Sequence, residues 1–323
     1  MLWTYFRVRT DVGVFTNGAF KFFSSTAPEL DDAWLACDMA LVGEAVDDRG
    51  EASIQAISQS AREMLTLRFD VLNQAFYLNG VETRFSDFRA KLHKEAVILI
   101  DGTTLGFGEI LQSVRFAKSN GCRELRFLYA EPKSYSGSVP LEGHAQAIDH
   151  RLTTNCSFST VQGFAQEYSS SRLCSHVFML GFEPSRLLSA IEQRQFSNDT
   201  RRLFAIVGVP AFQAGWEAFS IRPHLDALAD IAIGENQIYY CQANSVREAY
   251  ITLWSLYREL GDENGCFYVS PLGTKPHSVA AALFLVETKG ADACTSLYYD
   301  HPERVKHRSK DVGQWHCVRV TLI

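Results

Sequence analysis

Short runs of apolar and β-branched residues alternate with helix-like patterns along the chain from residue 96 onward. Unbroken apolar runs of this length predict strands that are covered on both faces. The runs lie at residues 97–100, 125–129, 176–180, 203–207, 237–240, 266–269 and 295–299. Apolar residues recur at helical spacing over residues 109–119, 186–195, 246–260 and 278–287. This alternation predicts an α/β fold with a Rossmann-like, mostly parallel sheet, helices on both faces and right-handed crossovers.

The first 95 residues have a different pattern, which predicts a small α+β region. Its predicted elements are short strands at residues 6–14 and 20–23, a helix over residues 29–44, and a hairpin of residues 64–71 and 74–85. We therefore expect an N-terminal α+β region at residues 1–95 and a Rossmann-like ligand-binding domain at residues 96–323. The simplest role of the first region is an extra layer, a dimer surface or a partner-binding surface.

Composition and charge narrow the classes of function. Hydrophobic residues make up 46% of the chain and charged residues 21%, which is ordinary for a packed globular protein. The net charge of −6 is opposite to the basic surplus of non-specific nucleic-acid binders. The basic run at residues 304–310 is more typical of a solvated loop than of a binding arm. With no signal-peptide pattern and no apolar run of membrane-spanning length, we expect a cytoplasmic protein.

The cysteine pattern indicates neither a metal site nor a disulfide framework. The chain has eight cysteines, none spaced as Cys-x-x-Cys, and no close cysteine and histidine cluster. Several lie inside apolar strands. We expect buried free thiols in a reducing compartment, no metal and no cofactor.

The loop after the strand at residues 266–269 carries the sharpest chemical signal. Ligands of open α/β sheets bind beyond the carboxyl ends of the strands. Here Ser270 is followed by Gly273, Thr274 and Lys275, and a helix begins directly afterwards. A glycine allows close approach of a ligand, and the hydroxyl, the ammonium and the helix N-terminus all favour an anion. The pattern predicts a phosphate site; the alternative is a tight turn with an exposed lysine.

Two further loops offer weaker binding candidates. The loop after the strand at residues 97–100 contains Thr103, Thr104 and Gly106, at the position where a dinucleotide-binding fingerprint would lie, although its spacing differs from that fingerprint. Its threonines could bind phosphate or sugar, or cap the next helix. Arg186 could clamp an anion at a helix start, or pair with Glu183.

Candidate catalytic residues are scattered rather than clustered. His277 lies beside the predicted phosphate loop and could act as a general acid or base, and Glu183 and Asp101 follow other strands. No Gly-x-Ser-x-Gly elbow and no His-Glu-x-x-His zinc motif occurs in the sequence. A histidine at a helix start and an aspartate in a turn have structural explanations as well.

The segment Ser270-Pro271-Leu272-Gly273-Thr274-Lys275-Pro276 resembles the C-terminal motif of CARF (CRISPR-associated Rossmann fold) domains. Those domains usually dimerise and sense cyclic oligonucleotides in bacterial antiviral signalling. The resemblance implies that Gly273, Thr274 and Lys275 contact the ligand. It departs from the family at Leu272, which replaces a glycine, and in that no recognisable effector domain is fused to the core.

Three functions follow as hypotheses. The first is a CARF-like nucleotide or cyclic-oligonucleotide sensor in bacterial antiviral defence, acting as a homodimer or as a subunit of a protein complex. The second is an enzyme that processes a nucleotide or phosphodiester. The third is a structural subunit of a defence complex. The sequence predicts an anionic, nucleotide-type ligand for the first two.

Overall fold

The structure is a computed structural model and describes residues 20–136, 139–140, 148–154, 157–165, 173–193, 201–260, 265–290 and 294–322. These residues form a mixed α/β fold with two large β-sheets. The predicted strand at residues 6–14 lies outside the described residues. Within the described ranges, no helix is both long enough and apolar enough to cross a membrane.

The strands and helices are numbered in chain order. The strands are β1 (Phe20–Ala27), β2 (Cys37–Val42), β3 (Ala61–Asp70), β4 (Ala75–Leu78), β5 (Val81–Thr83), β6 (Val97–Asp101), β7 (Glu124–Tyr135), β8 (Val139–Pro140), β9 (Ile148–Asp149), β10 (Thr153–Thr154), β11 (Cys174–Leu180), β12 (Arg201–Gly208), β13 (Ile238–Cys241), β14 (Cys266–Pro271), β15 (Thr295–Leu297), β16 (Glu303–Arg304) and β17 (Ser309–Leu322). The helices are α1 (Asp32–Leu35), α2 (Asp48–Ser58), α3 (Phe85–Lys91), α4 (Phe107–Ser119), α5 (Pro184–Gln193), α6 (Glu217–Ile221), α7 (Leu225–Asp230), α8 (Val246–Leu260) and α9 (Lys275–Gly290).

The first sheet has eight strands in the order β1-β17-β7-β6-β2-β3-β4-β5. Its central strands β7, β6, β2 and β3 are parallel, and the outer strands pair antiparallel. The predicted hairpin is confirmed by β3 and β4, which meet at a turn over residues 71–74. This sheet draws strands from both sides of residue 95, since β2 and β6 are neighbours; the division into two units at that point stays a prediction.

The predicted helix over residues 29–44 is wrong. Only the single turn α1 is helical there, and the apolar run that follows is strand β2, held between β3 and β6. Residues 39–42 are buried. A short apolar run buried on both faces has no polar side to reveal its period, so local spacing cannot separate a strand from a helix.

The second sheet has five strands, all parallel, in the order β13-β12-β11-β14-β15. The strands predicted from residue 97 onward are confirmed, but they divide between two sheets rather than forming one. The predicted helices are confirmed as α4, α5, α8 and α9. Residues 276–286 of α9 are buried, because this helix packs on α4, α8 and strands of both sheets.

The two sheets share one hydrophobic core. Helix α4 follows β6 of the first sheet and packs on α9, which follows β14 of the second, and a single apolar cluster takes in residues of both. All of the second sheet lies between β7 and β17 in sequence, although these strands are neighbours in the first sheet. The chain leaves the first sheet after β7 and returns to it at β17. Beside these two chain ends, the Ser136 amide donates to the Arg308 carbonyl at 2.9 Å.

The loops after β2 and β6 approach each other closely because Gly43 has no side chain. The Gly43 amide donates to Thr104 Oγ1 at 2.8 Å, and a Cβ on Gly43 would lie 2.4 Å from the Thr104 carbonyl oxygen. We expect Gly43→Ala to lower the free energy of unfolding by about 1–3 kcal/mol, because backbone must move to admit the methyl group. Urea unfolding measures the change.

Gly234→Ala is the matched control. Gly234 is exposed, and its added Cβ would meet only the ends of the Asn236 and Gln237 side chains. Equal stability of the two variants would contradict the described contact between the loops.

Candidate functional site

A cavity of about 1430 Å³ lies where the carboxyl ends of parallel strands from both sheets meet. Its walls include the loops after β2 and β6 of the first sheet, the loops after β11 and β14 of the second, and parts of residues 299–308. The carboxyl ends of parallel strands are the usual ligand-binding edge of α/β proteins. Two such edges converge on this one cavity.

Two cations of the cavity wall share a single carbonyl oxygen. Lys275 Nζ donates to the Leu105 oxygen at 2.6 Å, and Arg304 Nη2 donates to the same atom. Arg304 Nη1 also donates to the oxygens of Thr103 and Thr104, at 2.9 and 2.7 Å. One cation comes from the start of α9 and the other from β16, so the chain brings two like charges together against neutral acceptors.

A third cation, Arg308, lies close to this pair. Its Nη1 donates to the Leu152 oxygen at 3.4 Å, and its buried Nε has no hydrogen-bond partner among the described residues. Within the described part of the chain, no ion pair within 4.0 Å involves Lys275, Arg304 or Arg308. The cavity wall therefore holds positive charge that neighbouring carboxylates do not neutralise directly.

Burial and the proximity of these cations to one another lower their pKa values. Burial holds the pKa of Lys275 well below its ordinary value, Arg304 and Arg308 lower it further, and Glu109 opposes them. Burial, and then Arg308, lower the pKa of Arg304 to about 10. Burial, and then Arg49, lower the pKa of Arg308. An anion in the cavity would reverse these shifts, because opposite charge favours the protonated forms.

Two other arginines of the cavity wall are paired. Arg186 forms a bidentate ion pair with Asp300, with Nε and Nη2 at 2.5 and 2.7 Å from the carboxylate oxygens. The predicted pairing with Glu183 is longer, at 3.8 Å. Arg49 pairs with Asp47 at 2.9 Å. Burial disfavours the charge on Arg186, but Asp300 more than offsets it and raises the pKa of Arg186.

The predicted phosphate loop lies in the cavity wall in part. Gly273, Thr274 and Lys275 line the cavity, and Ser270 is buried behind it, where it contacts His176 Nε2 and donates to the Tyr298 carbonyl. Thr274 caps α9 and its hydroxyl donates to the Ala243 oxygen at 2.7 Å. The loop is therefore fixed by its own contacts, which leaves Lys275 as its charged group toward the cavity.

Gly273 is required by a close approach of two strand ends. A Cβ on Gly273 would lie 2.7 Å from the Leu180 oxygen, and one on Gly181 would lie 2.8 Å from the Leu272 oxygen. The end of β11 and the loop after β14 therefore pack backbone to backbone. Here glycine serves contact between the strands, a role that the sequence did not distinguish from contact with a ligand.

The loop after β6 is bound mainly by internal hydrogen bonds. Asp101 is fully buried and accepts from the hydroxyls of Ser53 and Thr104 and from the Thr103 amide. Thr104 and Gly106 line the cavity, whereas Asp101 and Thr103 do not. The carbonyl oxygens of this loop, rather than its threonine hydroxyls, contact the cations.

Of the three candidate catalytic residues, Glu183 alone lines the cavity. Its Oε1 accepts from the amide and the hydroxyl of Thr153 at 2.9 and 2.8 Å. His277 is fully buried outside the cavity wall, with Nε2 3.0 Å from the Gln242 oxygen. Burial lowers the pKa of His277 to about 4, so it stays neutral at physiological pH.

Arg304 and Arg308 are the residues that the sequence analysis placed wrongly. The basic run at residues 304–310 suggested a solvated loop, but both side chains reach the cavity, and Arg304 bonds to carbonyls about 200 positions earlier in the chain. The local density of positive charge was the available signal. The carbonyl groups that accept hydrogen bonds from these arginines could not be identified without the fold.

Lys275 makes stability depend on pH in a predictable direction. The unfolded chain restores an ordinary lysine pKa of 10.5, so between the lowered folded pKa and 10.5 the unfolded state binds more protons. The unfavourable contribution of Lys275 is greatest below the folded pKa and disappears as the pH approaches 10.5. We expect Lys275→Met to raise the free energy of unfolding at pH 7 by about 1–2 kcal/mol, with a smaller gain at pH 10.

Urea unfolding between pH 6 and pH 10 measures this dependence, with Lys94→Met as the matched control. Lys94 is exposed, and its replacement should leave the pH profile unchanged. A Lys275→Met protein that is less stable than the wild type at every pH would contradict the described environment of the ammonium group.

Comparison with known proteins adds little to this geometry. No protein-family model matches the sequence, and no curated protein matches it. A solved structure described as that of a functionally unknown protein, PA1789 from Pseudomonas aeruginosa PAO1, matches 84% of this chain and 95% of that chain. The sequence identity is 11% and the TM-score is 0.28, too low to carry an inference about fold or function.

Proposed function

We propose that this protein is a regulatory protein that binds a phosphate-bearing nucleotide in the cavity between its two sheets. The observation that carries the proposal is the pair of Lys275 and Arg304, which share the Leu105 carbonyl without a carboxylate partner among the described residues. In this proposal each sheet is a Rossmann-like layer that presents its ligand-binding edge to the same molecule.

An anion is the occupant that this arrangement favours. Two like charges against one neutral oxygen repel each other, and the repulsion is stronger in a partly buried cavity than in water. A phosphate group between Lys275, Arg304 and Arg308 would replace that repulsion with charge-assisted hydrogen bonds. The binding energy then includes relief of a strain that the free protein already contains.

The size of the cavity favours a ligand with more than one phosphate. Cavities for small molecules usually span about 300–1,000 Å³, and this one is about 1430 Å³. Aromatic side chains such as Tyr135, Phe182 and Tyr299 line it beside the cations and could contact bases. A cyclic oligonucleotide, the ligand class implied by the CARF-like motif, combines both features.

On the basis of the CARF-like resemblance, we propose that this protein acts as a sensor in bacterial antiviral signalling. The residues of the two sheets that line the cavity belong to one chain, so the proposed ligand does not need a second copy of the protein to complete its site. Homodimer formation, or incorporation into a larger complex, stays a prediction of the resemblance. The region before residue 95 contributes to the cavity wall through the loop after β2 and through β3.

The enzymatic alternative depends on Glu183. It is the candidate acid or base that lines the cavity, whereas His277 and Asp101 are buried outside its wall. A nucleotide-processing enzyme would use the carboxylate of Glu183 to move a proton and the cations to stabilise negative charge. Recovery of the ligand intact after incubation separates a sensor from an enzyme.

A panel of linear and cyclic nucleotides should contain a ligand that raises the melting temperature of the protein. A ligand at 100 times its dissociation constant stabilises the native state by about 2.7 kcal/mol. Thermal-shift measurements identify it, and chromatography of the incubated ligand should return it unchanged. Conversion of the ligand would indicate the enzyme, and the absence of any shift across the panel would reject the nucleotide proposal.

Variants of the shared-carbonyl pair test the location of the site. We expect Lys275→Met and Arg304→Gln to remove most of the ligand-induced shift, because each deletes a phosphate contact, while Lys94→Met retains it. Lys275→Met should show two opposite effects, greater stability without ligand and weaker stabilisation by ligand. A full ligand-induced shift in both Lys275→Met and Arg304→Gln would place the ligand elsewhere.

A further inference from the structure

Two cysteines meet at the amino-terminal end of the second sheet, at the end of the strands opposite to the cavity. Cys266 is the first residue of β14, and Cys294 directly precedes β15, the edge strand. Their sulfur atoms lie 2.8 Å apart. A disulfide bond is about 2.05 Å long, so a movement of less than about 1 Å separates these thiols from bonding distance.

The backbone holds the pair in a position that a disulfide can span. The Phe267 amide donates to the Cys294 carbonyl at 2.8 Å, which ties the two strands together beside the thiols. Neighbouring strands lie about 4.8 Å apart. That spacing falls within the Cα separation of about 4.4–6.8 Å that disulfides adopt.

The surroundings favour reaction at Cys294. Cys266 is 3% exposed, whereas Cys294 is half-buried and accessible to a small oxidant. The Lys289 ammonium lies near both sulfurs; burial lowers the pKa of Lys289, and the two thiols oppose that shift. A nearby cation stabilises a thiolate, which is the form of cysteine that oxidants attack.

We propose that Cys266 and Cys294 are a redox modification site at which a peroxide forms a reversible disulfide joining β14 to β15. The Cys294 thiolate attacks a peroxide oxygen, which gives a sulfenic acid and releases water after protonation. The Cys266 sulfur then attacks the sulfenic sulfur and displaces a second water. The two thiols together lose two protons and two electrons, and hydrogen peroxide is reduced to two waters.

The position of the pair gives the bond a structural consequence. β15 has three residues and leads into the segment that carries Asp300, the partner of Arg186, and Arg304. A covalent link at the start of β15 would fasten this segment to the sheet by more than its ladder hydrogen bonds. The modification does not depend on the proposed ligand.

The test treats the full chain with hydrogen peroxide, digests it with trypsin without reductant and identifies linked peptides by mass spectrometry. Cleavage after Arg258, Lys289 and Arg304 places the two cysteines in different peptides. We expect a linked pair about 2 Da lighter than the sum of its thiol forms, released by dithiothreitol. Oxidation should also raise the melting temperature of the protein by a few degrees.

Cys174 provides the matched control, since it lies opposite Cys266 in the parallel pairing of β11 and β14. Cys174→Ser should retain the link and the rise in melting temperature, and Cys294→Ser should lose both. A link between Cys174 and Cys266 would overturn the proposal. So would a sulfinic acid at Cys294 without a link, or full alkylation of both thiols after peroxide treatment.

Discussion

The Leu105 carbonyl is the point on which the arrangement of the cavity depends. It accepts hydrogen bonds from Lys275 and Arg304, which enter from different parts of the fold. A neutral oxygen cannot balance two positive charges, so the contact is held by the surrounding structure rather than by its own energy. The shared core of the two sheets and the α4–α9 contact supply that surrounding structure. Under the proposed function, this positive charge is already in place before the anionic ligand binds.

Asp300 shows how the same fold pairs a cation of the cavity wall with a carboxylate. The Arg186 guanidinium, 8% exposed, meets both oxygens of a carboxylate that is fully buried. Its third nitrogen, Nη1, donates to the Leu272 oxygen at 2.8 Å. Arg186 therefore fixes the loop after β14 against the segment after β15. Under the proposed function, the contrast between this paired arginine and the three cations without an ion pair in the described chain distinguishes structural charge from charge that binds the ligand.

Much of the local structure could be predicted from the sequence, because its signal is local. The unbroken apolar run at residues 97–100 indicates a buried strand, and Gly273, Thr274 and Lys275 indicate the strand-to-helix turn at the start of α9. The strand Cys37–Val42 was missed because Trp34 and Leu35 precede it and extend its apolar spacing into a helical period. The division into two sheets could not be predicted, since strands of both sheets have the same pattern. Arg304 was missed because its acceptors are distant in sequence.

The chain leaves the first sheet after β7 and returns to it at β17, and this path has a consequence for how the chain is assembled. Tyr135 and Ser309 are register partners in adjacent antiparallel strands, and Ser136 and Arg308 are hydrogen-bonded just beyond them. The whole stretch between those residues, with the second sheet inside it, therefore occupies the place of a hairpin turn. Its entry and exit are close enough for a tight loop to bridge, so the stretch is an insertion between two paired strands of the first sheet. The inserted stretch is nevertheless packed into the first sheet, since its helix α9 contacts α4 and belongs to the same apolar cluster, so a change in the insertion has to be matched on that face of α4.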